Sequence, residues 1–142
     1  MELSHKLVAL LNKDVPTGVA MNALAHMSIG LGAQVGKDDL LLDNYQDKDG
    51  NIYPNISKIP FIILRGKSSE IRKTVKAARE QNILHGAFIN TMTGGGYAEQ
   101  IANTLQIPEE QLVYYGVVLY GSIEAVNSLT RKFSLWRDEP KV

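Results

Sequence analysis

The sequence predicts a three-layer α/β/α domain with a small mixed, mostly parallel sheet at its centre. Five apolar runs of strand length alternate with segments of helical period, and a chain of 142 residues is long enough to bury one core. Alternating strands and helices are typical of such layered folds. Because no repeat, linker or low-complexity segment divides the chain, we predict a single domain over residues 1–142.

The first third of the chain predicts a strand, a long helix and a hairpin. Residues 6–11 are an apolar run that ends at turn-forming residues, and the helix is expected over residues 16–31. Its apolar side chains cover nearly the whole circumference, a pattern typical of a helix that is packed on several sides. A short strand at residues 40–42 and a hairpin corner at Asp49 and Gly50 follow.

The rest of the chain predicts three buried strands and three helices. Ser68 and Ser122 are expected to cap two of the helices, because a serine side chain can accept a hydrogen bond from a free backbone N–H. The last strand is apolar without alternation, as expected for a strand covered on both faces. The predicted elements are, in order, a strand at 61–64, a helix at 68–81, a strand at 85–91, a helix at 97–105, a strand at 113–120 and a helix from 122.

Composition and charge exclude several classes of protein. Fifteen basic residues balance fifteen acidic ones, so bulk charge indicates no polyanionic partner, and no cysteine is present. A disulfide scaffold, a thiol nucleophile and a cysteine-ligated metal are therefore excluded. The acidic stretch at residues 43–50 lacks the ligand spacing of a calcium loop, and we predict neither a metal nor an organic cofactor.

Hydropathy bears on the location of the protein. The opening residues lack the long apolar core of a signal peptide. No apolar run approaches the roughly 20 residues that a membrane-spanning helix needs. We therefore expect a cytoplasmic protein with no membrane partner.

A glycine-rich segment lies between a predicted strand and a predicted helix. Residues 91–97 read Thr-Met-Thr-Gly-Gly-Gly-Tyr, and the backbone N–H groups of Gly94, Gly95 and Gly96 could bind a phosphate or carboxylate at the helix start. The spacings of the phosphate-binding P-loop and of the dinucleotide fingerprint are absent. A flexible turn without a ligand therefore remains the alternative.

Asn22 and His26 lie four residues apart, on the same face of the first helix. His26 could serve as an acid or a base, because the ordinary pKa of histidine is close to physiological pH. The alternative is a core histidine that is hydrogen-bonded to the backbone.

The helix predicted at residues 68–81 carries a basic stripe of Arg72, Lys76 and Arg79. Such a stripe could contact the phosphates of a nucleic acid, and a solvated helix face is the simpler alternative. Trp136, which follows further basic residues, is predicted to be a packing anchor or a dimer contact.

The order of these elements resembles the type II peptidyl-tRNA hydrolase fold, and looks most like a bacterial family of unknown function built on it. The likeness is carried by the opening strand and helix, the hairpin at residues 47–60, the segment at residues 90–96, and the last strand, where Gly121 and Ser122 open the final helix. In the hydrolases the opening helix has a Gly-Lys-Gly-Lys motif followed by a glutamine and a histidine. Gly18 matches the second glycine and His26 the histidine.

The remaining positions of this motif differ. Thr17 and Val19 stand where the hydrolases have lysines, and Ala23 stands where they have glutamine. The family's later Asp-Ala-Gly segment corresponds to Asn90, Thr91 and Met92, so its carboxylate is also missing. A lysine can hold a polyanion and stabilise the charge on an ester carbonyl, and valine can do neither. The resemblance therefore implies a relative without the hydrolase reaction, and tRNA contact is disfavoured without being excluded.

Three hypotheses for function are compatible with these observations. We favour a non-hydrolase whose cleft binds a small polar or anionic ligand, because the first helix and the glycine loop both follow strand ends, where open α/β sheets bind ligands. The predicted ligand-binding residues are Thr17, Asn22, Asn90, Gly94, Gly95 and Gly96, with His26, Thr91 and Thr93 beside them.

The second hypothesis is an active peptidyl-tRNA hydrolase or esterase with a rearranged catalytic site. His26 would be the base and Thr91 or Thr93 the nucleophile or oxyanion donor, so imidazole and hydroxyl must come within hydrogen-bond reach of each other or of one water. The third hypothesis is a homodimeric interaction module. The hydrolases that the chain resembles associate as dimers, and the tail around Phe133 and Trp136 offers apolar surface to a partner.

Overall fold

The structure is a computed structural model that describes residues 3–138. Over these residues it contains seven strands and four α-helices. They are, in chain order, β1 (His5–Asn12), α1 (Thr17–Val35), β2 (Leu42–Gln46), β3 (Ile52–Ser57), β4 (Phe61–Gly66), α2 (Ser68–Glu80), β5 (Leu84–Ile89), α3 (Tyr97–Leu105), β6 (Tyr114–Ser122), α4 (Ile123–Thr130) and β7 (Ser134–Leu135).

Five of the strands form one mixed sheet in the order β5-β6-β1-β4-β7. Within the described residues β1 and β4 are its one parallel pair, and the β1–β6, β5–β6 and β4–β7 pairs are antiparallel. The prediction of a mixed sheet is confirmed, and the prediction that it is mostly parallel is wrong. An apolar run without alternation indicates that a strand is buried on both faces, as β6 is, but not in which direction it runs.

Helices cover both faces of this sheet. α1 packs on the face to which Leu7, Ala9 and Leu11 contribute, whereas α2 and α4 pack on the opposite face with Val8 and Leu10. Successive residues of β1 belong to different cores because the side chains of a strand point to opposite faces in turn. The two cores give the three layers that the alternation of strands and helices predicts.

The strands β2 and β3 form a separate two-stranded sheet, a hairpin that follows α1. Its predicted corner is confirmed, since Gly50 has a φ of 89° and the Asp47 carboxylate accepts the backbone N–H groups of Asp49 and Asn51. The strand expected at residues 40–42 begins only at Leu42, because Leu41 adopts the left-handed backbone conformation, which an extended strand cannot contain.

Hydrogen bonds explain three further outcomes. Ser122 caps α4 as predicted, and its hydroxyl accepts the N–H of Ala125. Ser68 is not a cap, because it lies inside α2 and its hydroxyl accepts the N–H of Tyr114, which ties the helix to β6. The strand expected at residues 85–91 stops at Ile89, since Asn90 begins a short 3-10 turn.

The strands β1, β4 and β5 point in the same direction and end at the same edge of the sheet. α1, α2 and the turn that starts at Asn90 follow these ends. This is the edge at which ligands bind in open α/β sheets. β6 lies between β1 and β5, however, so the two strand ends are about 10 Å apart, two strand spacings.

Candidate functional site

A cleft of about 710 Å³ lies beside β5, the outermost strand on one side of the sheet. Its volume is larger than that of the other cavities described below. α1 forms one wall with His26 and Met27, and β5 forms the floor with Ala87 and Phe88. The second wall is α3, together with Met92 from the preceding turn. No Asp, Glu, Lys or Arg is among the described residues that line this cleft, so its walls are apolar apart from a few uncharged polar groups and one imidazole.

His26 lies at the border between the buried and exposed faces of α1. The neighbouring Met27 belongs to the buried stripe of that helix, whereas His26 itself is exposed. Its ring is 5.9 Å from the ring of Phe88, centroid to centroid, and Phe88 stacks in turn on Tyr115 at 6.0 Å. Among residues 3–138 no hydrogen bond engages the imidazole, so the alternative of a core histidine bonded to backbone is wrong. Both ring nitrogens are open to a ligand.

α3 forms a wall that is attached to the fold by few contacts. None of its described residues is buried, and Ile101 and Leu105 expose apolar surface to the cleft. Two hydrogen bonds tie it to the turn before it: the Thr104 hydroxyl to that of Thr91, at 2.7 Å, and the Gln100 side-chain N–H to the Gly94 carbonyl, at 2.8 Å. A segment with so few buried contacts opens locally more easily than the core.

The glycine loop lies against a different cavity, a polar groove of about 460 Å³. Thr91, Thr93, Gly94 and Gly95 line it, and both glycines have positive φ angles, of 72° and 67°. The Thr93 hydroxyl donates to the Asn90 carbonyl, whereas Gly96 is the residue that precedes α3. A carboxylate oxygen of Glu99 lies only 2.9 Å from where a Cβ on Gly95 would sit, and its negative charge opposes an anion at this loop.

The other predicted site residues lie elsewhere. Asn90 exchanges two hydrogen bonds with Val113, because its backbone N–H donates to the Val113 carbonyl and its amide oxygen accepts the Val113 N–H. Thr17 lines a third cavity, of about 120 Å³, together with Lys13 and Arg65. Asn22 is exposed on α1. The structure thus distributes the predicted site over separate cavities and leaves His26 as its member in the main cleft.

The remaining walls of the main cleft were not predicted as site residues. Phe88 belongs to a predicted strand, and Ile101 and Leu105 share one side of a predicted helix, so the pattern indicated secondary structure for all three and no site. Their periodicity is correct for the secondary structure. The signal that could have found them is the weakness of α3 as a core helix, since only nine residues carry that face.

The basic stripe of α2 is paired within the chain. The side-chain nitrogens of Lys76 and Arg79 lie 2.8 and 2.9 Å from carboxylate oxygens of Glu110 and Glu109, respectively, and Arg72 donates to the Leu112 carbonyl. The hydrogen bond from Lys76 lowers the pKa of Glu110 and raises that of Lys76. These cations hold the segment before β6 against α2, and the solvated-face alternative accounts for them without a nucleic acid.

Tyr114 completes this network at the edge of the core. Its hydroxyl donates to Glu109 at 2.6 Å, and this bond, with a smaller contribution from Arg79, lowers the pKa of the Glu109 carboxyl. Burial, and then the hydrogen bond to Glu109, raises the pKa of Tyr114. The cluster joins α2 to the segment before β6 through the charged Arg79 and Glu109, and it joins that segment to β6 through the neutral phenol of Tyr114.

The tail that was predicted to contact a partner packs within the chain instead. Phe133 packs against the core below α2 and α4, and Trp136 packs against the core below α1. The backbone N–H of Trp136 donates to the Ile63 carbonyl, which extends the β4–β7 pairing. The packing-anchor interpretation of Trp136 is therefore confirmed, and Leu135, which is 60% exposed, is the apolar side chain that this segment leaves at the surface.

A family model described as "Protein of unknown function (DUF2000)" matches residues 5–137. The chain belongs to the DUF2000 family. A comparison with functionally curated proteins finds no match. Membership therefore confirms the prediction of a family of unknown function and assigns no activity.

A solved structure shares the fold of this DUF2000 chain. It is a protein of unknown function, Atu0240, from Agrobacterium tumefaciens strain C58. The identity is 21%, the TM-score is 0.83, and the match covers 96% of this chain and 100% of the other. This likeness supports the mixed α/β architecture alone. The resemblance to the type II peptidyl-tRNA hydrolases stays a prediction.

Residues 3–138 contain no group of three or more His, Cys, Asp or Glu side chains arranged to hold a metal ion. Across the same range, none of the helices combines the length and apolar character that crossing a bilayer requires.

Proposed function

We propose that this DUF2000 protein binds a small ligand in the cleft between α1, β5 and α3, with the apolar part of the ligand against Phe88 and α3 and a polar or anionic group at His26. The observation that carries the proposal is the cleft itself. Its volume of about 710 Å³ lies within the range of about 300–1,000 Å³ typical of small-molecule sites, and such sites combine apolar walls with a few polar groups.

The lining supports a narrower proposal for the ligand than the sequence does. Phe88 and Ile101 line the cleft with a flat ring and a branched side chain, which favours a ligand with a planar or branched apolar group. His26 offers a ring nitrogen that can donate to a carboxylate, and Gln100 retains its amide oxygen as an acceptor after donating to Gly94. A purely polar ligand would leave most of the cleft wall unmatched, which favours an amphiphilic compound.

Hydrolysis is the weaker candidate on this geometry. A base must come within hydrogen-bond reach of the hydroxyl or water that it activates. His26 lines the main cleft, whereas Thr91 and Thr93 line the polar groove, and the Thr91 hydroxyl is engaged by Thr104. Turnover of an aminoacylated tRNA analogue that is lost in His26→Ala would contradict the proposal of a binding protein.

The test is a titration with two shape-matched probes, 1-naphthoate and 1-naphthamide, followed by amide chemical shifts of labelled protein. We expect saturable shifts at Phe88 and Gln100 for both probes, because both carry the same apolar body. His26→Ala should weaken 1-naphthoate about tenfold or more, as expected for one charge-assisted hydrogen bond, and 1-naphthamide less.

Thr17→Ala is the matched control, because Thr17 lines another cavity, and it should leave both affinities unchanged. Two results would overturn the proposal. One is the absence of saturable shifts for either probe. The other is a set of shifts centred on residues 91–96, which would move the site to the glycine loop.

A further inference from the structure

The outer face of α1 is an apolar surface that nothing in the described chain covers. The helix buries Ala20, Ala23, Met27 and Leu31 on one side. On the opposite side Met21 and Ile29 are 62% and 72% exposed, with Ala25 between them at helical spacing. None of its 19 residues is Asp, Glu, Lys or Arg.

This composition is abnormal for a helix that is packed on one side. Surface helices normally carry charged residues on the face away from the core, and a helix that is apolar all round is normally buried. Scattered exposed apolar residues need no explanation, but a contiguous patch marks an interaction site. The apolar residues around α1 predicted that the helix is packed on several sides. Within the described chain it is packed on one side only.

The β2–β3 hairpin presents a second such surface. Tyr45 pairs with Tyr53 and Asp43 with Ile56, and cross-strand partners share a face. Asp43 and Tyr45 are two residues apart on β2. Their partners on β3, Ile56 and Tyr53, are three residues apart, and a β-bulge between the two pairs, where Asn55 has a φ of 62°, absorbs the extra residue and leaves all four side chains on one face. Tyr45, Tyr53 and Ile56 are 62%, 53% and 49% exposed, and Asp43 is neutralised by Lys58 at 3.0 Å.

The hairpin also lacks support of its own. It is attached at its base, where the Ser57 hydroxyl donates to the Leu40 carbonyl and the Lys58 N–H donates to that of Leu41. A lone two-stranded hairpin is marginally stable in water unless its apolar face is covered. A cover for Tyr45, Tyr53 and Ile56 would stabilise it.

We infer that a second copy of this chain covers both surfaces, in a two-fold homodimer in which the Tyr45 face of each hairpin packs on the outer face of the partner's α1. In a two-fold dimer the hairpin of each copy covers α1 of the other copy. One symmetry axis therefore covers both exposed surfaces of both copies. α1 carries no charged residue, Asp43 is paired with Lys58, and the Asp47 carboxylate beside the hairpin patch is held by hydrogen bonds from Asn51 and Tyr53, so two copies meet without a like-charge contact between the patches. This inference does not rest on the proposed function, because His26 lies at the border of α1 and not on its outer face.

The available area matches what a dimer needs. Half-exposed Tyr and Ile side chains each leave on the order of 100 Å² to be covered, so each patch supplies about 300 Å². Two copies of two patches give about 1,200 Å², the lower limit for a specific interface. A nucleic acid would need cations that α1 lacks, and these surfaces therefore fit a second copy better.

The experiment measures the mass of the full chain by sedimentation velocity over a dilution series. We expect a dimer that dissociates on dilution. Ile29→Glu on α1 and Ile56→Lys on the hairpin should each raise the dimer dissociation constant by at least about thirtyfold, as loss of a central interface residue does. Ile52→Lys is the matched control, because Ile52 pairs with Gln46 on the opposite face of the same hairpin, and it should leave the dimer intact.

Mixing the two variants tests the geometry of the contact. A heterodimer of Ile29→Glu with Ile56→Lys restores one native contact and places glutamate against lysine in the other, so the mixture should dimerise where neither variant does alone. If Ile29→Glu loses its circular dichroism signal, Met21→Glu replaces it. A wild-type monomer at every concentration, a monomeric mixture, or equal disruption by Ile52→Lys would overturn the inference, as would wild-type monomers that bind phosphatidylcholine vesicles.

Discussion

α1 and α2 lie on opposite faces of the same sheet and pack by similar stripes, but their outer faces have nothing in common. α1 buries Ala20, Ala23, Met27 and Leu31, and α2 buries Ile71, Thr74, Val75 and Ala78. Away from the sheet α2 carries cations that pair with Glu109 and Glu110, whereas α1 carries no charged residue at all. The buried stripe of each helix is therefore determined by packing on the sheet, whereas the composition of its outer face depends on whether water, other side chains or a partner lie against it.

The difference has an energetic basis. Exposed ion pairs contribute little each, but they keep α2 soluble and hold the segment before β6 in place. The exposed Met and Ile side chains of α1 contribute no hydrophobic free energy while they face water, and they are stabilising only when another surface covers them. We therefore expect the inner stripes to behave alike under mutation and the outer faces to differ.

The largest expected effect tests the similarity of the inner stripes. Ile71→Ala on α2 and Leu31→Ala on α1 each remove a branched side chain from a buried site, because the residues are 0% and 3% exposed. Each should lower the free energy of unfolding by about 2–5 kcal/mol, as cavity-forming substitutions do. Urea denaturation at low protein concentration measures it.

Lys73→Ala is the control for these two variants, since Lys73 is exposed on the outer face of α2, and it should stay within about 0.5 kcal/mol of wild type. If Leu31→Ala cost no more than Lys73→Ala, α1 would not be a core helix in solution. The comparison between the two helices would then fail at its first step.

A smaller effect tests how closely α1 approaches the sheet. A Cβ on Gly116 in β6 would lie 2.8 Å from the Met27 Cε and 2.9 Å from the Leu11 Cδ2, so Gly116→Ala forces buried side chains to move. We expect a loss of about 1 kcal/mol in the free energy of unfolding, within the usual range for overpacking. Met27→Ala in the same chain should reduce this loss, because it removes the clashing methyl group.

Gly121→Ala is the matched control on the same strand. A Cβ there meets the nearest atom, Val126 Cγ2, at 3.4 Å, an ordinary contact distance. It should therefore be neutral or slightly stabilising, because alanine restricts the unfolded chain more than glycine does. Equal losses at both glycines would show that strand propensity, and not the approach of α1, sets the cost.

Secondary structure was predictable where the spacing of apolar residues within one segment is enough to identify a helix or a strand. The helix at residues 68–81 agrees with α2 within one residue at its end, because Ile71, Val75 and Ala78 repeat at the helical period. The direction of β6 was not predictable, because burial on both faces is the same for parallel and antiparallel strands. β7 was missed because its two residues pair with β4 only through the tertiary fold.

The site was predictable only in part, for a similar reason. The spacing placed His26 on the correct helix, but the contact between His26 and Phe88 joins residues far apart in sequence, and no local pattern reports it. Thr17 and Asn90 follow strands that the sequence identifies, yet the insertion of β6 between those strands keeps them apart. Chain order alone cannot reveal that insertion.

The smallest expected effect concerns the charged network that distinguishes α2. The pKa of Glu109 is lowered below its ordinary value of 4.5, so its contribution to stability is fully present above that value and is lost as the pH falls through the lower folded-state pKa. We expect this contribution to be less than about 1 kcal/mol, because the carboxylate is partly exposed and screened by solvent.

Urea denaturation between neutral and acidic pH, comparing wild type with Glu109→Gln, isolates this contribution from that of other carboxylates. The stability difference between the two proteins should shrink on acidification. The control Glu80→Gln, at the exposed end of α2 and without an ion pair in the described chain, should show no such convergence. If the stability difference between wild type and Glu109→Gln stayed constant down to the lowest pH, Glu109 would act through its shape and a neutral hydrogen bond. The charge of Glu109 would then contribute no stability to the outer face of α2.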